Sequence, residues 1–136
     1  MPYPSSSEQT VTAAGETARP LVLVVDDNEK NLKLVRDVLR AAGLQPLEAA
    51  DGHEGLALAV EHRPDVILMD IRLPDMDGTL VARRLKEDPR TASIPVVALT
   101  ALPAGGERLG EAGFDGVLEK PIDVTEFPRQ VREFCR

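Results

Sequence analysis

Short apolar runs alternate with amphipathic stretches along this chain from Leu21 to its C-terminus. The runs are bounded by turn-forming or acidic residues, and they predict buried β-strands. Between them, apolar residues recur every three or four positions, which is the spacing of one face of a helix. Five such strand and helix pairs predict a parallel sheet covered by helices on both faces, that is, one α/β domain.

The first helix and the second strand show how these elements are bounded. Leu32, Val35 and Leu39 recur at helical spacing, and Gly43 then supplies a C-terminal stop. The next apolar run carries Pro46, which cannot donate a hydrogen bond to a neighbouring strand. This residue therefore predicts a strand at the edge of the sheet.

The last helix is predicted near the C-terminus. Either Asp123 or Thr125 could cap it, and Pro128 favours Thr125 because proline is tolerated in the first helical turn. The predicted buried side consists of three residues at spacing i, i+4 and i+7: Phe127, Val131 and Phe134.

Acidic residues, a threonine and a lysine lie at the ends of the predicted strands. Asp26 and Asp27 follow the first strand, and Asp70 follows the third. Thr100 ends the fourth strand, and Lys120 follows the fifth. The carboxyl ends of parallel strands meet at one edge of an open sheet, where ligands bind. Clustered carboxylates need a counter-charge, which a lysine and Mg²⁺ can supply, so the pattern predicts a phosphate-handling site.

The composition limits the class of protein. The chain has 136 residues, and 43% of them are hydrophobic, which is enough for one core. A net charge of −7 argues against nucleic acid as a direct partner, and a single cysteine excludes an internal disulfide. The absence of a secretory leader and of a long apolar run predicts a cytoplasmic protein. Residues 1–19 are rich in small and polar residues and are predicted to form a disordered tail.

Six motifs, in this order, resemble the receiver domain of bacterial two-component response regulators. They are VLVVDDN at 22–28, the Asp51-Gly52 pair, DVILMDIRLPDMDG at 65–78, PVVALTA at 95–101, AGFDG at 112–116 and KPI at 120–122. The resemblance extends from Leu21 to about Phe134, so residues 20–136 are expected to form the receiver domain. It implies a flavodoxin-like, doubly wound sheet of five parallel strands in the order 2-1-3-4-5.

The resemblance also implies which residues hold the metal. Asp70 would accept the phosphoryl group as a carboxylate nucleophile and would also be a metal ligand. Asp27 would bind Mg²⁺ directly, and Asp26 would bind it directly or through water. The backbone carbonyl of Arg72 would complete the protein ligands.

On the phosphate side, the resemblance implies three further roles. Lys120 would pair with the carboxylate of Asp70 and then with the transferred phosphoryl group. Thr100 would donate its hydroxyl to a phosphoryl oxygen, beside the amide of Ala101. A cis peptide bond would precede Pro121, as it usually does in the family.

Two features depart from the family pattern. Val117 occupies the switch position three residues before the lysine, which is normally aromatic. The segment 101–113 contains four glycines and one proline, so the fourth helix is expected to be short or irregular. We therefore expect activation to change the order of this segment rather than to rotate an aromatic ring.

These observations predict a single-domain response regulator that a histidine kinase or a histidine phosphotransfer protein phosphorylates. It would signal by phosphorylation-controlled binding to an unidentified protein target, as a monomer or weak homodimer without membrane insertion. It would catalyse only its own phosphorylation and dephosphorylation. Two alternatives are a phosphate shuttle or sink in a phosphorelay and a docking protein that acts without phosphorylation.

A further alternative comes from the stretch between Asp75 and Leu80, which matches the DxDGTL motif of haloacid-dehalogenase-like phosphatases. The first aspartate of that motif must end a hydrophobic strand, whereas Pro74 immediately precedes Asp75 here. The sequence therefore disfavours this phosphatase.

Overall fold

The computed structural model describes residues 19–101 and 110–135, and five parallel strands form one sheet there. The strands are β1 (Leu21–Val25), β2 (Gln45–Ala49), β3 (Val66–Asp70), β4 (Val96–Thr100) and β5 (Gly116–Glu119). Their order is β2-β1-β3-β4-β5, which confirms the predicted doubly wound fold. β2 lies at one edge, as the proline at position 46 predicted.

Four helices lie wholly within the described ranges. They are α1 (Glu29–Ala41), α2 (Gly52–His62), α3 (Gly78–Glu87) and α4 (Phe127–Phe134). α1 begins where the Asn28 side chain accepts hydrogen bonds from the backbone N–H groups of Lys30 and Asn31. It ends before Gly43, whose φ of 83° lies in the left-handed region that glycine adopts without strain.

Successive residues of the central strands pack on opposite faces of the sheet. Val22 and Val24 join the buried residues of α1 and α4 in one core. Leu23 and Val25 join buried residues of α2 and α3 in the other. Because both faces are covered, the central strands β1, β3 and β4 are apolar, and their first polar side chains come at or directly after the strand ends.

The start of α4 corrects the predicted cap. Neither candidate caps the regular helix, because Glu126 occupies the N-cap position and makes no side-chain cap hydrogen bond. Asp123 instead caps the turn before it: its Oδ1 accepts the N–H groups of Thr125 at 2.9 Å and Glu126 at 3.2 Å. Its carbonyl oxygen also accepts the N–H of Phe127 at 2.8 Å, so the chain makes one turn before the regular helix begins. The predicted buried side is confirmed, since Phe127 and Val131 are buried and Phe134 packs against the same core.

Two predictions concern residues outside the described ranges. The predicted tail lies almost entirely in residues 1–18, and the irregular helix predicted over 101–113 falls mainly on residues 102–109. Among the described residues, no helix combines the length and the apolar character needed to cross a membrane.

Candidate functional site

Three carboxylates meet at the C-terminal edge of the sheet. Asp26 and Asp27 directly follow β1, and Asp70 is the last residue of β3, the neighbouring strand. One carboxylate oxygen from each aspartate lies within 4.8 Å of the other two. Asp26 is buried, Asp70 is partly buried and Asp27 is exposed. A cation could therefore enter the cluster from the solvent and contact all three side chains.

Lys120 reaches the same cluster from the loop after β5. Its Nζ lies 3.2 Å from Oδ2 of Asp26 and 3.3 Å from Oδ2 of Asp70. The side chain of Lys120 is 19% exposed and that of Asp26 is 1% exposed, so solvent screens their attraction only weakly. Both distances exceed those of the strongest charge-assisted hydrogen bonds, and one ammonium group is shared between two carboxylates.

The surroundings of Asp70 disfavour the ionised form of its carboxyl group. Burial raises the pKa of Asp70 above its ordinary value of 3.8. The N–H of Arg72, 3.2 Å from Oδ1, and the charge of Lys120 lower it again in part, while the charge of Asp26 adds to the increase. The net direction is upward. A divalent cation beside Asp70 would favour the ionised form and act against this increase.

The residues predicted to bind phosphate line the same cleft. Thr100 and Ala101 form part of its wall together with Lys120, and the cleft has a volume of about 330 Å³. The N–H of Lys120 donates to the carbonyl of Thr100 at 2.9 Å, which joins the loop after β5 to the end of β4. The peptide bond between Lys120 and Pro121 is cis, as the resemblance implied.

Val117, the predicted switch position, lies away from this cleft. It pairs with Ala98 across β4 and β5, and its side chain is 37% exposed. Phe114, an aromatic residue close to it in sequence, is buried in the core that contains α2 and α3. Position 117 therefore presents a small apolar side chain at the surface.

Two asparagines in the cleft were missed by the sequence analysis. Asn28 and Asn31 both line it, at the start of α1. The backbone N–H of Asn28 donates to Asp26 Oδ1 at 2.9 Å, and the side-chain amide of Asn31 donates to Asp26 Oδ2 at 3.3 Å. The spacing could have revealed Asn31, because a residue one helical turn inside a helix directs its side chain back toward the N-terminus.

Neither aspartate of the phosphatase-like motif belongs to the cleft. Asp75 accepts the backbone N–H groups of Gly52 and His53 at the start of α2, at 2.8 and 2.9 Å. Partial desolvation raises the pKa of Asp75, but the hydrogen bonds from these N–H groups and from the His53 ring outweigh that effect, so the pKa is lowered to about 2. Asp77 caps α3 by accepting the N–H of Thr79 at 2.8 Å. Both residues thus stabilise helix starts.

The donor set of the cleft fits a hard divalent cation. Three carboxylates and one lysine leave the cluster with a formal charge of −2 when all are ionised, because three negative charges meet one positive charge. Carboxylate and backbone carbonyl oxygens are the ligands that Mg²⁺ prefers, and Mg²⁺ commonly joins one or two carboxylates to phosphate oxygens. The residues could hold Mg²⁺ while leaving coordination positions for a phosphoryl group.

Known proteins resemble this chain over nearly the whole described region. The family model of the response regulator receiver domain matches residues 22–132. The polar-differentiation response regulator DivK of Brucella anthropi is 43% identical over 115 residues, which cover 83% of this chain and 94% of that protein. DivK of Brucella ovis is 42% identical over the same shares of the two chains.

Solved structures show the same architecture. Chemotaxis protein CheY4 of Vibrio cholerae superposes with a TM-score of 0.81 at 29% identity, over 86% of this chain and 99% of that one. The receiver domain of sensor histidine kinase PA1611 from Pseudomonas aeruginosa gives a TM-score of 0.79 at 33% identity, over 86% and 98%. That structure holds a magnesium ion coordinated in its active site cleft.

Proposed function

This chain belongs to the response regulator receiver domain family, and from that premise we propose that Asp70 accepts a phosphoryl group in a Mg²⁺-dependent reaction. The donor would be a phosphohistidine of a histidine kinase or of a histidine phosphotransfer protein. Phosphorylation would then control binding to a protein target. The reaction would take place in the cytoplasm, where ATP is available to such kinases.

One observation supports this proposal most: the carboxylate of Asp70 faces the cleft with two further carboxylates and a lysine beside it. Asp70 ends the central strand β3, and an oxygen of Asp26 and of Asp27 lies within 4.8 Å of one of its own. Lys120 approaches its Oδ2 to 3.3 Å. The acidic pair can hold a cation and the lysine can neutralise an incoming phosphoryl oxygen, so the two requirements of phosphoryl transfer meet at one carboxylate.

In the proposed step, a carboxylate oxygen of Asp70 forms a bond to phosphorus. The bond between phosphorus and the donor's imidazole nitrogen breaks, and its electron pair stays on that nitrogen. Little covalent chemistry is asked of the protein, because such transfers depend mainly on position and charge. The Arg72 N–H on Oδ1 and the Lys120 ammonium near Oδ2 hold the Asp70 carboxylate in a defined orientation.

Lys120 and Thr100 would receive the transferred group. Lys120 already contacts Asp70, so a short movement of its Nζ would bring it to a phosphoryl oxygen. Thr100 is 5% exposed and ends the adjacent strand, where its hydroxyl and the amide of Ala101 could donate to the other oxygens. The small side chain of Ala101 leaves room for that approach.

The metal ligands would be the carboxylates of Asp26, Asp27 and Asp70 and the backbone carbonyl of Arg72. When bound, Mg²⁺ would neutralise charge on the phosphoryl oxygens. We expect no turnover of an external substrate, because every group that we assign a role acts on Asp70 or on the phosphoryl group attached to it.

Intact-mass measurement after exposure to phosphoramidate and Mg²⁺ tests the assignment. The wild-type chain should gain one phosphoryl group, and Asp70→Asn should gain none. Asp75→Asn is the matched control, because Asp75 lies five residues further along the same segment and instead accepts the first two backbone N–H groups of α2. Equal labelling of Asp70→Asn and the wild type would refute the proposal.

Transfer of the label back to a histidine phosphotransfer protein would separate the two roles for the phosphorylated form. Rapid return of the phosphoryl group would favour a shuttle or sink. Retention of the group together with a gain in affinity for a protein target would favour the output role that we propose.

A further inference from the structure

We propose that Asn31 is a positioning residue for the metal site, acting through the buried carboxylate of Asp26. The inference rests on the proposed function, because it concerns how this chain holds the cation at that site. Asn31 has no direct contact with Asp70 among the described hydrogen bonds, so it is not assigned to the phosphoryl transfer itself.

The start of α1 places Asn31 where it can reach back to Asp26. Asn31 is the third residue of the helix, and its backbone N–H is fixed by the Asn28 cap at 3.2 Å. Helical side chains lean toward the N-terminus, which is the direction of Asp26. Since a carboxylate only accepts hydrogen bonds, the amide nitrogen of Asn31 faces it, with Nδ2 at 3.3 Å from Oδ2.

Both oxygens of Asp26 have protein donors. The backbone N–H of Asn28 donates to Oδ1 at 2.9 Å, and Oδ2 is shared by Asn31 and Lys120, the latter at 3.2 Å. Asp26 is 1% exposed, so water has little access to replace a donor that leaves. Leaving a buried carboxylate oxygen without a hydrogen-bond donor raises the free energy of the folded protein.

The two donors on Oδ2 differ in a way that matters for function. Lys120 is the group that would turn toward the phosphoryl oxygens, and it carries a positive charge that competes with a cation. The carboxamide of Asn31 is neutral and is held by α1. After Lys120 turns away, Asn31 would keep Oδ2 oriented without reducing the negative charge that Asp26 offers to the metal.

A purely structural role for Asn31 would be to stabilise the start of α1. The two roles predict different measurements. A structural residue would change the free energy of unfolding and leave the affinity of the folded protein for Mg²⁺ unaltered. A positioning residue would change that affinity, and it would do so only while the Asp26 carboxylate is present.

Mg²⁺ titrations of the full chain, followed by ¹H–¹⁵N NMR at fixed pH without any phosphoryl donor, test the inference. Asn31→Ala removes the amide and keeps a strong helix former, and Asn31→Leu removes the amide at similar size. Each should raise the Kd for Mg²⁺ about tenfold, the lower end of the effect of outer-shell partners. Lys33→Ala, on the exposed side of the same helix, should leave the Kd within twofold of the wild type.

A double-mutant cycle shows whether the effect passes through Asp26. In an Asp26→Asn background, Asn31→Ala should cause less than a twofold further change in Kd. An equal Kd for Asn31→Ala and the wild type, or a full tenfold effect in the Asp26→Asn background, would overturn the inference. Absence of Mg²⁺ binding by the wild type would instead overturn the proposed function, so the two failures are distinguishable.

Discussion

Two lysines, Lys120 and Lys86, hold aspartates at opposite ends of the sheet, and their surroundings differ. At the N-terminal edge, Nζ of Lys86 lies 2.8 Å from Asp115 Oδ2 and donates to the carbonyl of Ile94 at 2.8 Å. The same Asp115 oxygen accepts the N–H of Val96 at 2.8 Å. This ion pair joins the end of α3 to the starts of β4 and β5, and short bonds to the backbone complete it.

At the C-terminal edge, Lys120 meets a cluster that it cannot neutralise. It lies at 3.2 and 3.3 Å from two carboxylates, and a third carboxylate is nearby. The comparison shows that lysine and aspartate serve two different purposes in the two places. Short bonds that satisfy every partner stabilise the fold, whereas an excess of negative charge leaves the site ready for a cation and a phosphoryl group.

Of the two lysine substitutions, Lys120→Met should have the larger effect on activity. Removing the only lysine of the described cluster leaves the phosphoryl oxygens without this positive charge, and loss of one such donor costs about 100-fold or more in rate. Phosphorylation by phosphoramidate, followed over time by intact mass, measures this rate. If Lys120→Met were phosphorylated as fast as the wild type, the two lysines would not differ in the way we describe.

Lys86→Met should affect stability and spare activity. It removes a charged donor from Asp115 and from the carbonyl of Ile94, which should lower the free energy of unfolding by about 2 kcal/mol. Urea denaturation followed by circular dichroism measures this change. The rate of phosphorylation of the folded variant should stay within about twofold of the wild type, and a loss as large as that of Lys120→Met would break the comparison.

Asp70→Asn should stabilise the metal-free protein slightly. Burial raises the pKa of Asp70. Between pH 3.8 and this raised pKa, the folded protein therefore keeps a proton on Asp70 that the unfolded chain has already released. This carboxyl therefore lowers stability as the pH rises from its ordinary value of 3.8 through its folded-state pKa. The variant should therefore have a higher Tm than the wild type near neutral pH and the same Tm at strongly acid pH.

Thermal unfolding in EDTA across this pH range measures the trend for Asp70→Asn. Asp75→Asn is the control with the opposite sign, because the pKa of Asp75 is lowered to about 2. Its carboxylate stabilises the fold above its ordinary pKa, and this contribution is lost as the pH falls through about 2. Saturating Mg²⁺ should reverse the Asp70→Asn result, since the cation stabilises the wild type more.

Much of the fold and of the site could be predicted from the sequence. Apolar runs that end in polar residues marked the strand ends, and parallel pairing then had to bring Asp26, Asp70 and Lys120 to one edge. Pro46 identified an edge strand for the local reason that it lacks an N–H. The cap of α4 was predicted wrongly, because the turn from Asp123 to Glu126 precedes the regular helix and the position of Pro128 does not reveal it.

The sequence by itself determined the succession of strands and helices along the chain, because hydrophobic periodicity is a local property, and it placed the charged groups at the strand ends. The order of the strands within the sheet was predicted only through the resemblance to the family. Only the tertiary structure decided which donors each carboxylate would have. Asn31 reaches Asp26 because α1 begins four residues after β1 ends. Asp75 accepts the N–H of Gly52 because the loop after β3 passes the N-terminus of α2. Residue spacing can identify a candidate donor such as Asn31, but whether the hydrogen bond forms depends on differences of a few tenths of an ångström in how the elements pack, and the sequence does not contain that information.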